Sequence, residues 1–257
     1  MIITLSPSKG QDFETPAQTA VHSVPQQLDQ SQILIDSIKH FDSPAICKLM
    51  SVSENIANLN VQRFADFSTP FSLKNAKQAL YAFKGDVYST IEVERYSESN
   101  LEFAQQHLRI LSGLYGYLRP LDLIQAYRLE MKTKLKNPRG HNLYTFWDNR
   151  ITELLNADLQ QQSEPTLVNL ASNEYFKSIK LKNLQGRLLN INFKESKNGK
   201  TRVIAIFAKR ARGMMANWII QNQIEASESL KEFDLESYRF DADLSDDTQW
   251  TYSRPQP

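Results

Sequence analysis

The sequence predicts a mixed α/β fold in one compact domain over residues 1–257. Three observations point there. Ile2–Leu5 and Thr166–Leu170 are short, mainly apolar runs of the kind that form strands buried on both faces. Around them lie segments whose apolar residues recur three and four apart, the helical period. Late in the chain, Arg187 to Phe193 and Thr201 to Phe207 flank an Asn198-Gly199 pair, a strong hairpin-turn signal. A hydrophobic fraction of 41% is enough to build a proper core.

Taken in order, the Ile2–Leu5 strand runs into Ser6-Pro7-Ser8-Lys9-Gly10, a small polar turn suited either to an anion or to plain solvation. It lacks the two-glycine spacing of a P-loop. Helices are expected within Pro25–Phe41, from Ser43 to Met50 with Pro44 at the first helical position, and from Ser53 to about Phe67. Pro70 breaks the pattern, and Ser72 to Ala82 reads as helical again. Lys84, Asp86 and Tyr88 then cluster around Gly85 directly after that helix. Ser97 caps a helix expected to reach Leu111, carrying Leu101, Ala104 and Leu108 at helical spacing. It delivers the chain to Ser112-Gly113-Leu114-Tyr115-Gly116, followed by Arg119, Pro120 and Tyr127-Arg128.

Leu143 to Leu159 reads as one helix, and Gln160 to Pro165 as a polar connector. The Thr166–Leu170 strand ends in Ser172-Asn173-Glu174-Tyr175, polar residues where α/β proteins place ligand contacts. After the hairpin, Lys209, Arg210 and Arg212 are expected at a strand-to-helix junction, where their charge would add to the positive helix end. The C-terminal segments Tyr238–Phe240 and Gln249–Tyr252 are expected as edge strands.

Composition narrows the function. The net charge is +1, so a basic site must be a local patch balanced by acids such as Asp241, Asp243, Asp246 and Asp247. Cys47, the single cysteine, permits neither an internal disulfide nor a cysteine-based zinc site, which fits a reducing cytosol. It lies at a helix-like apolar position, where an inert thiol is commoner than a redox sensor. His22, His40, His107 and His141 have no metal-ligand spacing, so neither a metal nor another cofactor is expected. No apolar run reaches the roughly 20 residues of a membrane helix, and Met1–Leu5 lacks a signal peptide's basic flank. A soluble cytoplasmic monomer is expected.

Longer motifs carry a resemblance. KGDVY at 84–88, LSGLYGYLRPLDLIQAYRLEM at 111–131, NLASNEYFKSIK at 169–180 and AKRARGMM at 208–215 resemble the signature blocks of the YaaA family of bacterial peroxide stress proteins. SPSK at 6–9 resembles that family's SPAK block, with Ser8 where alanine is usual. The resemblance extends to at least Ile224. It implies a cytosolic protein made under hydrogen peroxide stress that limits oxidative DNA damage and keeps unincorporated iron low. It also implies a family-specific α/β fold with a positively charged cleft and a helix-hairpin-helix-like element, about residues 101–130. Here two residues, Leu114 and Tyr115, separate Gly113 from Gly116, where the usual pattern has one.

The expected partner is double-stranded DNA, bound without sequence specificity. Gly113, Tyr115 and Gly116 would cradle phosphates, and Lys9, Lys84, Arg119, Arg128, Lys209, Arg210 and Arg212 would supply charge. The alternative is an enzyme on a nucleotide or nucleobase-like small molecule in the same cleft, with Asp86, Glu130 or Glu174 as acid/base.

Overall fold

In the computed structural model, which describes residues 1–257, the apolar run Ile2–Leu5 forms strand β1 and is buried throughout. The polar turn after it ends in β2 (Gly10–Gln11), and three helices follow: α1 (Leu28–Ile38), α2 (Ser43–Met50) and α3 (Glu54–Ala65). α2 begins where the sequence places it because the Asp42 carboxylate accepts from the Ala45 amide and Pro44 occupies its first turn, a cap worth about 1 kcal/mol. The helix expected over Ser72–Ala82 does not form. Its place is taken by β3 (Lys77–Gln78) and the single turn α4 (Ala79–Ala82), because Lys77 and Gln78 pair with Ile124 and Leu123. Next comes β4 (Phe83–Lys84), paired with β2.

The helix begun at Ser97 has the expected cap, which Asn100 completes as a capping box, but α5 (Glu98–His107) stops short of Leu111. Leu108–Ser112 is instead β5, paired in parallel with β1, and it turns through Gly113–Tyr115 into β6 (Gly116–Leu118). The helix-hairpin-helix-like element is therefore corrected to a helix followed by a β-hairpin. Leu108, Ile110 and Leu111 fit a helix stripe, but β1 leaves an edge of backbone groups that only a strand can satisfy. The chain continues through β7 (Leu123–Ile124).

The single helix expected over Leu143–Leu159 is two, α6 (Leu143–Trp147) and α7 (Arg150–Leu159), divided at Asp148 with φ 43°. β8 (Thr166–Asn169) and the one-turn α8 (Asn173–Phe176) come next. β9 (Arg187–Lys197) and β10 (Lys200–Arg202) make the Asn-Gly hairpin. The second strand ends early, so α9 (Ala205–Gln221) already contains Lys209, Arg210 and Arg212 in its body, not at its start. β11 (Arg239–Asp241) and β12 (Gln249–Pro255) complete the chain.

The main sheet has the order β11-β12-β9-β8-β1-β5-β6, with β10 also on β9. The pairs from β12 to β5 are parallel, while β5–β6 and β11–β12 are antiparallel. Ile3 sits between Leu108 and Val168 in register. The chain leaves β1 for β5 on one side and returns for β8 on the other. The carboxyl ends of β1 and β8 thus border a switch point, where open α/β sheets leave a crevice for ligands. One continuous apolar core runs from Met1 to Tyr252.

Candidate functional site

A cleft of about 600 Å³ opens at this switch point. Ser6–Lys9 enter it from the end of β1, and Leu170 with Ser172–Tyr175 from the end of β8. Gly85–Val87, Tyr127–Glu130 with Lys132, and Lys209 with Arg212 of α9 close the remaining sides.

Hydrogen bonds fix these stretches to one another. The Ser172 amide donates to Ser6 Oγ at 2.9 Å, and Ser6 Oγ donates to Ser172 Oγ at 3.2 Å. Tyr88 OH donates to the Ser6 carbonyl at 2.9 Å, while Ser8 Oγ donates to the Lys84 carbonyl. Thr90 Oγ1 bridges the carbonyls of Val87 at 3.0 Å and Arg210 at 2.9 Å, tying α9 to the 85–90 loop. The Tyr127 amide donates to Gln11 Oε1 at 3.1 Å, and its hydroxyl lies 2.7 Å from Ser112 Oγ.

Charge in the cleft is mixed, with three carboxylates among five cations. Glu130 is the centre, with Lys9 Nζ at 2.9 Å, Lys132 Nζ at 3.2 Å and Arg128 Nη2 at 3.4 Å. Burial by itself would raise its pKa; the ammonium groups of Lys9 and Lys132 outweigh that and hold it below the ordinary glutamate value. The same contact raises Lys132. Glu174 meets Lys132 at 3.6 Å, and Asp86 meets Lys209 at 3.4 Å. Burial pushes the phenols of Tyr127 and Tyr175 upward, so both stay neutral donors.

Arg212 differs from its neighbours. Lys209 has Asp86, and Arg210 has Glu236 at 3.9 Å. Arg212 pairs with no carboxylate, and its Nε is buried without a hydrogen-bond partner. Burial pushes its pKa down, the mark of a cation that has lost water and gained no counter-ion.

The fold gathers Lys9, Arg128, Lys209 and Arg212 with Asp86, Glu130 and Glu174. It does not bring the other expected residues there. Gly113 and Gly116 are fully inside the protein. A Cβ on Gly113 would overlap the Leu129 carbonyl, and one on Gly116, at φ +67°, would come within 2.6 Å of the Trp147 ring. These glycines allow close packing and offer no amide to a phosphate. Tyr115 is wholly buried, its ring edge-on to Tyr127 with centroids 5.2 Å apart. Lys84 turns to Asp12 at 3.8 Å, the Arg119 amide to Asp122 at 2.8 Å, and Arg210 to Glu236.

Lys132, which also lines the cleft, is not among the residues the sequence predicts there, although a signal for it exists. From Arg128 to Leu135 charged and uncharged residues alternate, and Leu129, Met131, Thr133 and Leu135 are buried. That period of two puts Arg128, Glu130, Lys132 and Lys134 on one side.

Residues 1–244 match the family model described as peroxide stress protein YaaA. A UPF0246 protein of Cellvibrio japonicus (strain Ueda107) is 49% identical over 257 residues, 100% of both chains. Another, from Acaryochloris marina (strain MBIC 11017), is 52% identical over 254 residues, 99% of this chain and 100% of its own.

Proposed function

Since this chain belongs to the YaaA family of peroxide stress proteins, we propose that it serves that response by holding a phosphate-bearing, nucleotide-like ligand in the switch-point cleft. The observation that carries this reading is Arg212, a desolvated guanidinium with no protein counter-ion inside a cavity of small-molecule size. A phosphate would meet its planar donor fork, and Arg128, whose Nε is also buried and unpartnered, would offer a second. Tyr175, half-buried in the wall, supplies an aromatic face for a base. Glu130, held ionised by Lys9 and Lys132, is suited to setting the positions of its cations and poorly suited to donating a proton at neutral pH.

Calorimetric titration with nucleoside mono- and diphosphates tests this. Binding weakened about tenfold or more by Arg212→Met, with the fold intact, is the expected result. Unchanged affinity in that variant would remove the reading.

A second reading is favoured by the cleft mouth. The side chains of Lys9, Lys132 and Lys209 are 60%, 64% and 54% exposed. Such a rim suits the backbone of double-stranded DNA, bound without sequence preference, and shielding DNA there would limit iron-dependent oxidative damage. Affinity for duplex should then fall steeply as salt rises, and Lys9→Ala with Lys209→Ala should weaken every sequence alike. Flat salt dependence would contradict duplex binding.

A further inference from the structure

Beyond Glu130 lies a second cavity of about 740 Å³, which shares Lys9, Arg128, Glu130 and Lys132 with the first. Its additional cations are Lys48 of α2 and Lys134, both exposed and neither paired with a carboxylate. Glu130 is its only acid, so it is more strongly basic than the first cavity. Phe41, Leu49 and Met50, each half-buried, give it an apolar wall.

The two cavities are linked by one strip of chain. Because burial alternates from Arg128 to Leu135, the polar residues of the strip face outward in succession. Arg128, Glu130 and Lys132 line both cavities and form the saddle between them, and Lys134 lines the second cavity alone. Each cavity thus couples cations to an aromatic side chain, Tyr175 in one and Phe41 in the other. Cations beside an aromatic face are the chemistry that holds a phosphate and stacks a base.

We infer that the two cavities are a single bipartite site for a ligand of two nucleoside units joined through phosphate. The first unit occupies the switch-point cleft, the linking phosphate crosses the saddle near Lys9 and Lys132, and the second unit lies against Phe41 with Lys48 and Lys134 around its phosphate. This rests on the nucleotide reading of the first cavity. The free dinucleotide and two consecutive units of a single strand share this chemistry.

The test uses the full-length protein and compares 5′-phosphorylated deoxyadenosine with the 5′-phosphorylated dinucleotide of the same base. The dinucleotide should bind about tenfold or more tightly, the worth of one further stacked base. The double variant Lys48→Ala/Lys134→Ala should abolish that gain and leave mononucleotide affinity unchanged. Equal affinity for the two ligands, or a double variant that weakens both alike, overturns the bipartite site while the nucleotide reading stands. Failure of the mononucleotide to bind overturns both. A longer single strand separates the two sources: affinity equal to the dinucleotide's assigns the site to a free dinucleotide, and tighter binding assigns it to a strand.

Discussion

The Ser112–Gly116 turn and the Arg128–Lys134 strip lie close in sequence and touch in space, yet one is packed and the other is poised for a ligand. In the turn every principal polar group has a partner within the protein. Ser112 Oγ accepts from the Tyr115 amide at 3.0 Å and meets Tyr127 OH, while Trp147 Nε1 donates to the Gly113 carbonyl at 3.0 Å. Tyr115 OH accepts from the Gln125 amide at 2.9 Å and donates to its carbonyl at 3.3 Å. In the strip, Arg128 and Lys132 share the one carboxylate of Glu130 with Lys9 from the turn after β1. A glycine turn with satisfied groups has no capacity left for an anion. A strip with surplus cations does.

The sharpest way to break this contrast is Gly113→Ala. Its Cβ would overlap the Leu129 carbonyl, a backbone atom that cannot swing aside. Chemical denaturation should show a loss above about 3 kcal/mol, and the cleft should be disturbed with it because Leu129 lies between Arg128 and Glu130. A mild effect would mean that the turn is looser than its packing implies. Tyr115→Phe should cost about 2 kcal/mol in the same assay, since it strands the Gln125 amide without changing volume.

Glu130→Gln reaches into the strip, and there the effect depends on pH. At neutral pH a loss of about 1 kcal/mol is expected, because three cations lose their shared anion. The folded-state pKa of Glu130 lies below the ordinary value of 4.5. Its contribution is therefore fully present above 4.5 and is lost as pH falls through the lowered folded value. The stability gap between the parent and the glutamine variant should close on acidification below 4.5. A gap that persists unchanged in acid would show that charge is not its origin.

The smallest stability effect belongs to Arg212→Met. The guanidinium has no counter-ion to lose, and burial already disfavours its charge. Thermal unfolding should change by no more than about 0.5 kcal/mol, or rise slightly. A large loss would make Arg212 a structural residue and remove the main support for the ligand site.

Much of the architecture was legible in order along the chain. Ile2–Leu5, α2 and the Asn-Gly hairpin follow from local signals: an apolar run, a proline in the first helical turn, and a turn dipeptide. The sequence predicts helix through Leu111 because the apolar spacing of residues 108–111 suits both periods, and only pairing with β1 separates them. Among the residues that line the cleft, Lys9, Arg128, Lys209 and Arg212 stand in motif blocks visible in the sequence. Lys132 stands outside those blocks, although the alternation around it marks its side as outward-facing.

The sequence alone determined the fold class, the family resemblance and the set of charged blocks, because these depend on composition and short-range order. Tertiary structure decided which blocks carry the site. Gly113, Tyr115 and Gly116 went to the interior and Arg212 to the cleft without a partner. The reason is that desolvation and counter-ion pairing are set by neighbours distant in sequence, such as Leu129 and Trp147 around the glycines and the 85–90 loop beside α9. No local pattern encodes which cation will be left unpaired.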